Sequence, residues 1–433
     1  MTSATLSSPD VSWFDHGRFG LFIHWGLYAL PARHEWVQNH EEIHAERYAQ
    51  YSEFFDPDLF DAKQWAREAR EAGFTYAVLT TKHHDGFCLW DSDLTEFTAS
   101  KTNAGRDLVR EFVDAFRAEG LRIGFYHSLV DWHHPDFTID GVHPLRNDEA
   151  AIAANADRDM SRYREYLHGQ VHELLTRYGQ VDYLFFDFSY SQGIGGLPGK
   201  GAKDWDAERL LATIHELQPA CIVNDRLEIG GDVVTPEQYQ PAVTPTDSEG
   251  NPVRWEACQT INGSWGYDRD NFNDKSSELL VKMLVDSVSK NGNMLLNIGP
   301  DARGAIDSRT RERLSELAEW FRLHARSIYG AGPSEFAAPT DIRFTQRGDR
   351  LYVHVFSWPF VHLHLPGLGG RVRYAQLLAD GSEIPFQVHL PEHDQPNENT
   401  QPKGLGPDTV TLHLPVRAPA TPVPVIEVFL TAP

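Results

Sequence analysis

The chain has 433 residues, more than one ordinary core accommodates, which points to a large domain joined to a smaller one. A formal charge of −23 argues against nucleic acid or an anionic membrane as partner, since both call for a basic patch. Cys88, Cys221 and Cys258 supply neither a disulfide framework nor metal-ligand spacing, and no apolar run approaches the roughly 18 residues of a membrane helix. Met1 to Asp10 show no basic or apolar leader pattern, so a soluble, cytoplasmic protein is expected.

In chain order, short apolar runs alternate with helical patterns. Gly20-Leu21-Phe22-Ile23 reads as a strand that stops in His24-Trp25-Gly26, and a long polar excursion, His34 to Phe60, follows. Asp61 sits in N-cap position for a helix to Ala72. Tyr76 to Thr81 is a second buried strand, ending abruptly in Lys82-His83-His84-Asp85-Gly86-Phe87. Arg106 to Glu119 is helical and stops at Gly120. Ile123-Gly124-Phe125 then ends in Tyr126-His127-Ser128, and Ala153 to Tyr178 is a long helix. Tyr183-Leu184-Phe185-Phe186 ends in Asp187, followed by a helix over Asp204 to Leu217. Cys221-Ile222-Val223 ends in Asn224-Asp225-Arg226. After a polar loop come Trp255-Glu256-Ala257-Cys258, a helix over Ser276 to Lys290, the strand Asn293 to Ile298 and a helix over Ser308 to Arg326.

Strands that alternate with helices build a parallel sheet. Polar strand ends spread along its whole length favour an α/β fold of the (β/α)8-like, TIM-type barrel class over a doubly wound sheet, whose site gathers at one switch point. Residues 1–335 are assigned to this barrel. Beyond Pro339 only strand-like segments remain, such as Leu351 to Phe356 and Val425 to Phe429, so residues 336–433 are assigned to a C-terminal antiparallel β-sandwich domain. The histidines at 362, 364 and 413 read as residues of a solvent-facing strand surface rather than metal ligands.

Asp187 is the leading catalytic candidate. It shares one face of its strand with Tyr183 and Phe185, and a carboxylate on so apolar a strand is costly to bury unless used or paired. Glycoside cleavage with retention needs a second carboxyl about 5–5.5 Å away. Two glutamates compete: Glu237 in the loop Thr235-Pro236-Glu237-Gln238, and Glu256 at the start of an apolar segment. A metal centre built from His24, His83, His84, Asp85, His127, His133 and His134 is disfavoured. Neighbouring residues on an extended strand face opposite ways, so His83 and His84 cannot share an ion without a bulge. Hydrogen bonding to substrate hydroxyls explains these histidines with fewer assumptions. Trp25, Trp36, Trp90, Trp132, Trp255 and Trp265 add the flat faces that sugar rings favour.

With these residues assembled, the chain resembles the family 29 glycoside hydrolases, the α-L-fucosidases. The resemblance runs from Trp13 to about Tyr329. It rests on Phe19 to Gly26, Glu35-Trp36, Lys82 to Phe87, Trp255 to Cys258, Ser264 to Tyr267 and Asn293 to Pro300. It implies a retaining hydrolase with Asp187 as nucleophile, Glu237 favoured as acid/base with Glu256 as the alternative, and no cofactor or metal. It also implies fucose-binding roles for His24, Glu35, Trp36, His83, His84, Tyr126, Arg226 and Trp265, and a fucosylated oligosaccharide or glycoconjugate as substrate. One departure is Phe188-Ser189 after Asp187, where the family often has a small or flexible residue. The rival readings are a non-catalytic or differently specific sugar-binding barrel and a metal-dependent hydrolase.

Overall fold

Seven parallel strands form one curled sheet in the computed structural model, which describes residues 10–389 and 405–431. They are β1 (Phe19–Ile23), β2 (Tyr76–Lys82), β3 (Arg122–Ser128), β4 (Tyr183–Asp187), β5 (Ile222–Val223), β6 (Glu256–Thr260) and β7 (Asn293–Ile298), ordered β5-β4-β3-β2-β1-β7-β6. The amino-terminal residues weighed for a leader lie, from 1 to 9, outside the described residues.

The period-2 reading of the strands explains their two faces. Phe22, Tyr76, Val78, Tyr126, Tyr183, Phe185, Ile222, Cys258 and Leu295 come from all seven strands and pack into one interior cluster. The alternate residues, among them Leu21, Ala77, Leu79, Leu184 and Phe186, pack outward against the helices. Gly20 has a specific task. A Cβ there would overlap the Tyr76 ring, so only glycine lets that ring lie across β1 inside the sheet.

The expected eighth strand is absent as a regular element. β5 is two residues long and β6 does not pair with it; the segment between them spans the gap through isolated parallel bridges, Asn224 with Val233, Val234 with Trp255, and Glu237 with Cys258. Its backbone is bonded on both sides, Asp232 N to Val223 O at 2.8 Å and Cys258 N to Pro236 O at 2.9 Å. Pro236 has no N–H to give and Gln238 takes a positive φ of 60°, which interrupts a continuous ladder.

Outside the sheet, helices open on the capping side chains expected of them. Asp61 accepts from Gln64 N at 3.0 Å, Asp107 from Arg110 N at 2.8 Å, and Asp307 from Thr310 N at 2.7 Å. Two helices differ from the sequence reading. The stretch from Ala153 contains a break before the long helix Met160–Arg177, which Asp159 caps, and the helix from Asp204 begins only at Ala207 after a left-handed Asp206.

The C-terminal region forms two antiparallel sheets. β8 (Ile342–Arg347), β9 (Arg350–Val355), β11 (Val372–Leu377) and β14 (Val425–Leu430) make one, and β10 (His362–Leu365), β12 (Phe386–Val388) and β13 (Val410–His413) the other. They enclose a separate apolar cluster that includes Phe344, Leu351, Leu365, Leu412 and Ile426. It is tied to the larger region by Arg343 Nε on Asp286 at 2.8 Å and Thr345 Oγ1 on Ser327 O at 2.7 Å. Among the described residues no helix is long and apolar enough to cross a membrane.

Candidate active site

Asp187 closes β4 at the sheet's carboxyl edge, and three donors hold its carboxylate. Oδ1 accepts from Phe188 N at 2.8 Å and from Arg226 Nη1 at 3.1 Å. Oδ2 accepts from the Tyr126 hydroxyl at 2.8 Å and stands 3.8 Å from His84 Nε2. Phe188 adopts φ +71°, the left-handed region that a glycine would enter freely. Its backbone N–H grips the carboxylate, as any residue's would there, and what the bulky side chain adds is a ring packed 5.0 Å from both Trp36 and His84.

Arg226 reaches this carboxylate because β5 stops early. The Asn224 side chain takes over the strand's pairing, accepting from Phe186 N and donating to Phe186 O, both at 2.9 Å. The chain then turns through Asp225–Leu227 and delivers the guanidinium inward. Its second arm, Nη2, lies 2.9 Å from Glu237 Oε2. One planar fork therefore bridges Asp187 and Glu237. The second carboxylate is the more solvent-exposed of the two, with 43% of its side chain accessible against 17%. Both face a cavity of about 270 Å³ walled by Phe22, Trp36, Phe185, Phe188 and Trp265, with His24, Tyr126 and Cys258 also lining it. Phe22, Phe185 and Cys258 escaped the sequence reading as wall residues, although the period-2 partners of His24 and Asp187 point to the first two.

The imidazoles are neutral donors and acceptors. Burial drives His24 and His84 down to about 3 and lowers His83 well below its ordinary value. Asn297 donates to Trp265 O at 2.7 Å, so its oxygen faces His24 Nδ1 at 2.7 Å; this assigns the proton to Nδ1 and leaves Nε2 to accept. Ser128 spends its proton on Val130 O, so His84 Nδ1 donates to it at 2.6 Å. His84 Nε2 is then a buried acceptor without a hydrogen-bond partner, and His83 Nδ1 is a second such atom. Neither ring lines the cavity, nor does Glu35; all three are buried beside wall residues, and unpartnered atoms such as His143 Nε2 and Trp132 Nε1 occur elsewhere among the described residues. Glu35 accepts from Gly266 N at 2.7 Å, and burial raises its carboxyl to about 7.

Three expectations need correction. Glu256 does not join the constellation. It begins β6, at the amino end of the sheet, fully buried among the hydroxyls of Tyr76 and Tyr183, which begin β2 and β4. His83 and His84 do not face opposite ways: β2 has a register irregularity between Thr80 and Lys82 and ends at Lys82, and the two rings lie 4.0 Å apart. Of the six tryptophans only Trp36 and Trp265 line the cavity; Trp25, Trp90, Trp132 and Trp255 are buried core. His127 bonds Thr81 and Asp85 accepts from Tyr48, and among the described residues no group of three or more His, Cys, Asp or Glu forms a metal-holding cluster.

The family model described as alpha-L-fucosidase matches residues 2–326. The structure is similar to alpha-L-fucosidase isoenzyme 1 from Paenibacillus thiaminolyticus, at 43% identity and a TM-score of 0.90, covering 98% of this chain and 99% of that one. It is also similar to a GH29 alpha-L-fucosidase from Bacteroides thetaiotaomicron solved as a trapped covalent intermediate, at 27% identity and a TM-score of 0.81 over 100% of both chains. Among curated proteins, human plasma alpha-L-fucosidase is 32% identical over 384 residues, 80% of this chain and 76% of that protein. The chain thus belongs to the alpha-L-fucosidase family of glycoside hydrolases, GH29.

Proposed function

We propose that this protein is a retaining α-L-fucosidase that releases terminal fucose from oligosaccharides or glycoconjugates by double displacement. The observation that carries the reading is the pair Asp187 and Glu237, bridged by one arginine across a cavity of sugar-ring size. We read the curled sheet, with the segment Asp232–Gln238 standing in for an eighth strand, as a barrel whose carboxyl end holds the sugar.

In the first step an Asp187 oxygen bonds to the anomeric carbon as the glycosidic bond breaks, and Glu237 gives its proton to the departing oxygen. In the second, Glu237 takes a proton from water, the water oxygen bonds to the same carbon, and the ester on Asp187 is released. The sugar hydroxyls meet His24 Nε2 as an acceptor and Arg226 as a donor in the cavity, and His83, His84 and Glu35, buried next to its wall, complete the set once the sugar reaches them. The apolar wall of Phe22, Trp36, Phe185, Phe188 and Trp265 suits a deoxysugar, whose C5 methyl group has no hydroxyl to satisfy.

Azide tests both roles at once with an aryl α-L-fucoside. Asp187→Ala with azide yields β-fucosyl azide, because the anion enters from the vacated face. Glu237→Ala with azide yields the α-azide, because the ester on Asp187 still forms first. Wild-type turnover by Asp187→Ala, or rescue confined to Glu256→Ala, overturns the assignment.

A further inference from the structure

The double-displacement reading places an unusual demand on Arg226. Before the first step the negative charge resides on Asp187 and Glu237 holds a proton; in the intermediate Asp187 is a neutral ester and Glu237 carries the charge. The charged partner of the guanidinium thus switches arms during each half-cycle. A guanidinium held only by its two carboxylates would follow the charge and leave the other group without its donor.

A third set of contacts does not change with that charge. Arg226 Nε donates to Thr235 Oγ1 at 3.0 Å and Nη2 also donates to Thr235 O at 3.2 Å. The Thr235 hydroxyl gives its own proton to Asp225 Oδ1 at 2.7 Å, and Thr235 N donates to the same oxygen at 3.2 Å. A carboxylate can only accept, so the hydroxyl's direction is fixed and its free lone pair must face Nε. Thr235 is buried, and it sits two residues before Glu237 on the segment that spans the sheet's gap. We propose that Thr235 is the positioning residue that holds the Arg226 fork between Asp187 and Glu237 while negative charge passes from one carboxylate to the other. This inference rests on the double-displacement reading. The titratable and charged groups that face the fork are Asp187, Glu237, Asp225 and Cys258, with Tyr126 and His84 behind Asp187.

The test compares Thr235→Val, which keeps the shape and removes the hydroxyl, with Thr235→Ser, which keeps the hydroxyl. Both are made in the full chain and assayed with an aryl α-L-fucoside across pH. Thr235→Val lowers kcat about 10- to 100-fold, more than it changes KM, and displaces a limb of the pH profile, while Thr235→Ser recovers most of the rate. A wild-type pH profile in Thr235→Val, or equal impairment in the serine variant, overturns the proposal.

A second readout needs no turnover. In 15N-arginine-labelled protein the Arg226 Nε–H signal, assigned by its loss in Arg226→Lys, is protected from exchange in wild type and Thr235→Ser and loses protection in Thr235→Val. An unprotected signal in wild type sinks the positioning role. A wild-type enzyme inert toward every fucoside, with the signal protected, sinks the fucosidase reading and with it the charge-passing role.

Discussion

Replacing Glu256 by glutamine separates a structural carboxyl from a catalytic one. Burial raises the Glu256 carboxyl to about 8 against an ordinary value of 4.5, and the hydroxyls of Tyr76 and Tyr183 offset this only in part. Asn293 Nδ2 donates to the Tyr76 hydroxyl at 3.3 Å, so Tyr76 passes its own proton to Glu256, while the protonated acid can donate to Tyr183. Glutamine reproduces that pattern without an ionisable proton. The native state holds the Glu256 proton more tightly than the unfolded chain, so this stabilisation is complete below about pH 4.5. It is lost as pH rises toward about 8, at up to about 1.4 kcal/mol per pH unit. Thermal midpoints of wild type and Glu256→Gln, measured from pH 5 to pH 8.5, therefore diverge in favour of the variant. The gap reaches on the order of a few kcal/mol, several degrees, by pH 8. Activity on an aryl fucoside stays within about threefold of wild type, because Glu256 lines no part of the cavity. Parallel stability curves, or a large activity loss that azide restores, refute the reasoning.

Two further outcomes follow from local geometry. Gly20→Ala pushes a methyl group into the Tyr76 ring and lowers stability by about 1–3 kcal/mol, read as the shift of the thermal midpoint; an unchanged midpoint shows that the ring is not where it is described. Arg226→Lys keeps the charge but cannot bridge two carboxylates and a threonine at once, so kcat/KM on an aryl fucoside falls at least about 100-fold, and a loss under tenfold contradicts the bridging role.

Much of this site could be read from the chain because each strand's polar ending is a local signal. His24, Asp187 and Arg226 follow runs of apolar residues, and the alternation of Tyr183, Phe185 and Asp187 fixes which face they share. Asp61 likewise announced its helix from the N-cap position, whereas the helix expected from Arg106 begins at Leu108, after the Asp107 cap. What stayed hidden depends on contacts distant in sequence. Glu256 opens its apolar segment and Asp187 closes its own, which the chain shows. That the Glu256 segment is a parallel strand of the same sheet, which carries Glu256 to the amino edge, emerges only from the pairing of β6 with β7, Glu256 beside Asn293. The segment carrying Glu237 has the polar, proline-containing composition of a loop, and its place in the gap is set by bonds to β5 and β6 rather than by its own sequence. His83 and His84 lie side by side because β2 ends at Lys82 and the chain turns there, which no periodicity encodes.

The central claim is that Asp187 forms a bond to the sugar while Glu237 moves the proton. The most direct measurement treats the protein with 2-deoxy-2-fluoro-α-L-fucosyl fluoride, whose fluorine slows breakdown of the glycosyl ester, and maps the adduct by peptide mass spectrometry. The account predicts a single fluorofucosyl ester on Asp187, none in Asp187→Ala, and accumulation of the same adduct in Glu237→Gln. An ester on Glu35, Glu237 or Glu256, or turnover that gives the inverted sugar with no adduct, would contradict it.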